Sequence, residues 1–180
     1  MSKSNSVVAV YPSHPEAEAA IKELQHAGFD MKLLSIIGRD QHTDEQVVGF
    51  YNSGDRMKAW GKTGAFWGGV WGFLFGSAFF WIPGVGPLLV AGPLITWIIG
   101  ALEGAVVVGG LSVVGASLAS LGIPKDSILQ YETALKTGKF VLIANGTAND
   151  TAQAVAILKR TKTDTLNQHQ HPNPAPGAKI

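Results

Sequence analysis

Residues 63–102 contain no Asp, Glu, Lys or Arg: 40 consecutive positions without a formal charge. After Glu103, residues 104–124 add 21 more. The flanks differ sharply, with 7 basic and 8 acidic side chains in residues 1–62 and 7 and 4 in residues 123–180. Fifteen of the 22 glycines and all five tryptophans fall between Trp60 and Gly122. Flanks of roughly 120 residues offer too little surface to cover roughly 60 nearly uncharged ones in water, so the middle of the chain is expected in a membrane.

The pattern inside that stretch predicts a helical hairpin over residues 58–121. Gly64, Gly68, Gly72 and Gly76 stand four apart, a stripe that would cost a water-exposed helix about 1 kcal/mol per glycine but lets helices approach closely in lipid. Trp60 and Trp81 are expected as interface anchors, because 21 residues at about 1.5 Å each span roughly 32 Å, near the hydrocarbon thickness. Residues 82–93, with prolines at 83, 87 and 93 and glycines at 84, 86 and 92, break any helix and are read as the turn. A second helix over about 94–121 carries Gly100 and Gly104 as further packing positions. Arg56, Lys58, Lys62 and Lys125 flank the base while the turn is uncharged, which orients both flanks toward the cytoplasm. A re-entrant hairpin is the alternative to full crossing.

The flanks read as two halves of one α+β domain, residues 1–57 and 122–168. Ser6 to Tyr11 is a β-branched run followed by Ser13-His14-Pro15-Glu16, a capping box for a helix ending near Gly28. Strands are expected at 33–37, 47–51 and 140–144, and helices at 124–137 and 150–160. The two ends resemble each other at a constant offset of 134, pairing Val7 with Val141, Ser13 with Thr147 and Leu24 with Leu158. Two such β-α-β units predict a ferredoxin-like sheet with helices on one face, VVAVY and FVLIA central, and the polar TLNQHQ at an edge. Residues 169–180 read as a disordered tail.

A formal charge of +1 without basic clustering argues against nucleic acid. Cysteine is absent, which removes thiol chemistry and disulfides. The start lacks a signal-peptide core. No motif for nucleophilic catalysis, zinc hydrolysis or phosphate binding occurs, so no catalytic residue, cofactor or metal site is assigned, and His169 and His171 are read as solvated. Glu103 is the one ionisable acid or base inside the apolar stretch. It is carried as an intramembrane ionisable site, with helix packing through a protonated or hydrogen-bonded carboxyl and snorkelling at an interface as its other readings.

The runs AWGKTGAFWGG, IPGVGPLLVAGP and GIPKDSILQYETALKTGKFVLIA resemble the bacterial membrane proteins of the DUF1269 group, related to heat-induced general stress proteins of the YflT and 17M kind. That resemblance implies a stress-associated protein of the bacterial inner membrane and brings no catalytic motif with it. The expectation is therefore a non-enzymatic, homo-oligomeric structural or regulatory component in contact with membrane lipid. A small channel or proton-linked transporter using Glu103 is the first alternative, and a soluble multimer that buries its hairpins is the second.

Overall fold

A computed structural model describes residues 5–39, 77–82, 85–103 and 112–170. Strand β1 (Asn5–Tyr11) leads into helix α1 (His14–His26), a 3₁₀ turn (Met31–Leu33) and strand β2 (Leu34–Arg39). Strands β3 (Ser77–Ile82) and β4 (Gly86–Ala91) follow, then helices α2 (Leu94–Glu103), α3 (Val113–Ser120) and α4 (Lys125–Lys136). Strand β5 (Phe140–Gly146), helix α5 (Ala148–Leu158) and strand β6 (Thr165–His169) complete the described order.

All six strands form one sheet in the order β3-β4-β2-β5-β1-β6, every neighbouring pair antiparallel. Within it β6-β1-β5-β2 is the ferredoxin-like arrangement expected of two β-α-β units, and β3-β4 extends it beyond β2. The repeat reappears in the register. Val7 pairs with Ala144 and Val10 with Val141, and since 141 − 7 and 144 − 10 both equal 134, the two pairs interchange under the repeat. The first strand of one unit thus pairs with the first strand of the other about a local two-fold axis.

The unit ends follow from capping chemistry. At α5 the Thr147 hydroxyl accepts from the Asp150 N–H at 3.3 Å and the Asp150 carboxylate accepts from the Thr147 N–H at 2.8 Å, a closed capping box. The equivalent residues of α1 behave differently, because the Ser13 hydroxyl donates to the Glu16 carboxylate at 2.8 Å and makes no cap bond to the backbone. Gly28 terminates the α1 segment with φ +75, as the sequence predicts.

Both faces of the sheet are covered, which corrects the expectation of helices on one face only. On one side Val7, Ala9, Tyr11, Leu34, Ile36, Leu142 and Ala144 pack under α1 and α5. On the other, Val8, Val10, Ile37, Leu88, Val90, Val141 and Ile143 pack under Leu94 and Ile98 of α2, Leu118 of α3, and Ile128, Tyr131 and Leu135 of α4. Strands buried on both faces need continuous apolar runs, which accounts for VVAVY and FVLIA at the centre. Each fully buried Leu, Ile or Val contributes about 1.5–3 kcal/mol over its exposed state.

Within the apolar middle, the described residues 77–82, 85–103 and 112–121 depart from the expected hairpin of residues 58–121, while residues 58–76 of its first helix lie outside the described residues. Residues 77–82 are strand rather than the end of a helix, and residues 86–91, expected inside a turn over 82–93, are strand β4 in register with β2 from Ile36–Ala91 to Arg39–Leu88. Aromatic and β-branched side chains in Phe79, Phe80, Trp81 and Ile82 favour a strand. Pro87 is tolerated because it lies one residue past the last β2 pair, where a missing donor breaks no bond to that strand. The expected helix over 94–121 is two helices, α2 and α3. No helix among the described residues is long and apolar enough to cross a membrane. At the far end β6 runs to His169, the first residue of the expected tail. The strand expected at 47–51 lies outside the described residues.

Helix α2 is fastened to the sheet at its first turn. The buried Ser35 hydroxyl of β2 accepts from the Leu94 N–H at 3.1 Å, satisfying a donor that has no partner within the helix. Gly92 makes this approach feasible: its φ is +92, and an added Cβ would overlap the Leu34 carbonyl oxygen and stand 2.8 Å from Ser35 Cα. Gly92→Ala is expected to destabilise the chain by about 3 kcal/mol, since strain and backbone overlap act together. Gly28→Ala, with φ +75 and no described atom within 4 Å of the new Cβ, should cost only about 1 kcal/mol. Equal urea midpoints for the two variants would remove the close approach as the cause. Ser35→Ala should cost about 1–3 kcal/mol by leaving the Leu94 N–H buried and unpaired, read as a lower urea midpoint at unchanged slope.

Candidate interaction surface

Of the packing positions and anchors expected from the sequence, Gly64, Gly68, Gly72, Gly76, Gly104 and Trp60 lie outside the described residues. Gly100 and Glu103 belong to α2, which packs on β4, and Trp81 belongs to β3, the strand paired with β4. Gly100 is exposed on α2, and no described atom lies within 4 Å of where its Cβ would stand. Within the described chain it therefore packs against no helix. Trp81 lies on β3, and Glu103 is the last residue of α2.

Helix α2 spends only a narrow stripe on the core. Leu94 and Ile98, one turn apart, are fully buried. Around them Trp97 is 46% exposed, Ile99 41% and Leu102 46%, with Thr96 and Gly100 also exposed. A surface helix ordinarily turns polar residues outward. Apart from Thr96 and its final residue Glu103 this one is apolar, and from residue 77 to residue 102 the chain supplies no charge to interrupt it. Leu129 on α4 is exposed too, but an isolated apolar side chain is normal on a protein surface.

The two sheet edges are unlike. β6, Thr165–His169, is short and polar and ends the sheet next to β1. β3, SAFFWI, ends it on the other side without a charge, a proline or a polar side chain beyond Ser77. Charges and prolines are the usual protection of a free edge against strand addition.

A polar cluster that the sequence reading did not assemble lies on the β6 side of the sheet, and it takes in His169, which is half-buried and bonded to Tyr131 rather than solvated as expected. Ser6, Asn145 and His169 stand in one row across β5, β1 and β6, since Ser6 pairs in register with both of the others. The Ser6 hydroxyl donates to Asn145 Oδ1 at 2.8 Å, with the Leu121 carbonyl 3.3 Å away. Tyr131 of α4 reaches the same row: its hydroxyl lies 2.8 Å from His169 Nε2 and accepts from Asn167 Nδ2 at 3.1 Å. Burial pushes the Tyr131 phenol up, opposed by the Asn167 bond, and burial pushes the His169 imidazole down. Both shifts favour neutral groups, an arrangement suited to holding elements together and opposite to the anionic phenol a nucleophile would need. The signal was available in the spacing Ile128, Tyr131, Leu135, which puts a hydroxyl on a buried helical stripe where it must find a partner.

Other buried polar groups are also tied locally. The Glu132 carboxylate accepts from the Ser112 hydroxyl, which in turn accepts from Gly115 N–H and caps α3. Glu18 pairs with Lys22 at 2.7 Å one turn along α1. Among the described residues no group of three or more His, Cys, Asp or Glu side chains could hold a metal ion.

Comparison with known proteins gives one informative result. Residues 6–79 match the family model of the heat induced stress protein YflT domain, a span that takes in most of β1, all of α1 and β2, and the start of β3. No curated protein matches the chain, and no solved structure does. The match supports a relation to YflT-type stress proteins and leaves the DUF1269 membrane grouping without support.

Proposed function

We propose that this chain is a non-enzymatic, stress-associated protein that docks on the inner membrane of a bacterial cell through the outer face of α2, with its ferredoxin-like domain in the cytoplasm. The match to a stress-protein domain suggests the stress association. What supports membrane contact is the exposed, uncharged surface of Trp97, Ile99 and Leu102. Tryptophan partitions to the lipid headgroup region, and leucine and isoleucine gain from the acyl boundary below it. Ten residues of helix are about 15 Å long, too small alone for the roughly 800 Å² that each partner of a stable protein pair contributes. A lipid surface has no such minimum. The reading replaces an integral hairpin by a surface contact, and it gives Glu103 no role in ion passage.

One observation favours a second reading, self-association. Among the described residues nothing pairs with the outer side of β3, so this edge can add a strand from another copy, and homo-oligomerisation would then run through the sheet rather than through a glycine stripe.

Flotation of the full-length protein with phosphatidylcholine vesicles tests the first reading. The wild type should rise with the vesicles about equally at low and high salt, because the proposed contact rests on the apolar side chains Trp97, Ile99 and Leu102. Trp97→Glu with Leu102→Glu should leave it in the dense fraction. Wild type that stays dense, or a double variant that floats equally well, would end the membrane proposal. Sedimentation equilibrium tests the second. Phe79→Lys, which charges the β3 edge, should dissociate the wild-type assembly, and a monomeric wild type at tens of micromolar, roughly, would exclude it.

A further inference from the structure

We propose that the contact of Tyr131 with His169 and Asn167 is an acid-sensitive latch that holds the edge strand β6 against helix α4, released when His169 takes up a proton. Strand β6 has only β1 beside it in the sheet, in a five-residue register from Ser6–His169 to Val10–Thr165. Its His169 end needs a second attachment, because terminal pairs of an edge strand fray readily. Tyr131 supplies it from a different element, 38 residues away in sequence.

Donor accounting makes the contact sensitive to one proton. The Tyr131 hydroxyl has one hydrogen and two lone pairs. Asn167 Nδ2–H donates to it, so the hydroxyl hydrogen is free to go to His169 Nε2 at 2.8 Å. That nitrogen accepts only in the neutral ring with its proton on Nδ1, the tautomer that leaves every member of the chain satisfied. Once protonated, Nε2 becomes a donor, and the phenol must accept from both neighbours while its own hydrogen loses its acceptor. A satisfied three-residue chain becomes one with an orphaned donor, in a half-buried place where water compensates poorly.

Among the described residues no charged group is bonded to the imidazole or contributes to its shift. Helix α4 faces the imidazole with Tyr131 in edge-on ring contact, β1 faces it with Ser6, and β6 contributes Asn167. Of the charges on α4, Lys125, Asp126 and Lys136 are exposed and Glu132 is bonded to Ser112. Burial alone moves His169 below its ordinary 6.5. The unfolded strand therefore binds a proton before the docked one does. The contribution of the latch to stability is complete above about pH 6.5 and is lost as pH falls toward the lower, docked value.

Amide hydrogen exchange on the full-length chain, corrected for intrinsic rates, separates the outcomes. Between pH 7 and pH 5 the amides of β6 should lose about five-fold or more in protection while those of β5 hold, as expected for one lost hydrogen bond. His169→Gln retains an acceptor without the titration and should abolish the difference between the two pH values. Tyr131→Phe removes the acceptor's donor and should give β6 the low-pH exchange already at pH 7. Equal protection of wild-type β6 at both pH values would overturn the latch. So would a pH dependence that survives in His169→Gln. Where His169→Gln fails to fold, Tyr131→Phe decides: a pH-dependent loss of β6 protection as large as that of the wild type would overturn the proposal.

Discussion

The pairing of β1 with β5 is the constraint on which the rest depends. It joins the two β-α-β units about their local two-fold, and it places the most apolar strands of the chain side by side. A strand pair buried on both faces cannot stand alone in water. α1 and α5 cover one side as the units themselves dictate, and the other side must be covered by something else. The segment between the units supplies that cover through α2, α3 and α4. Its apolar character is a requirement of the sheet beneath it as well as a property of its outer surface.

That relation explains how much of the fold the sequence disclosed. The halves were legible because several independent signals coincide in them: the offset of 134, Gly28, and the contrast between FVLIA and the polar TLNQHQ. The described part of the middle, from residue 77 on, departs from the hairpin reading for a physical reason. Counting uncharged residues against a fixed area of flank treats the flank as already closed, whereas a sheet with one bare face has room for a large apolar insertion. A run such as FFWI, bounded by proline and glycine, satisfies the composition of a lipid-facing helix and of a buried strand equally, and only pairing with β4 distinguishes them.

The candidate surfaces were legible to different degrees. Apolar exposure on α2 follows from its composition, since a helix whose only polar residues are Thr96 and Glu103 must present some of its apolar residues outward wherever it packs on one side only. The Tyr131 cluster is a product of tertiary placement. Its members come from α4 and β6, and the row they join, Ser6 and Asn145, spans nearly the whole chain. Only the helical position of Tyr131 hinted that a partner was needed.

The sheet order has a consequence for synthesis. Both neighbours of β1 come from residues 140–169, so the earliest apolar strand of the chain has no strand beside it until the last third has emerged. The 100 positions from 40 to 139 take about 5–20 s to translate at ordinary rates. During that interval VVAVY has α1 to lean on but no backbone partner. β2 and the β3–β4 hairpin, by contrast, can meet as soon as residue 91 is clear of the ribosome. The order of synthesis thus makes the β2–β4 side of the sheet available for pairing before β1 can gain either of its strand neighbours.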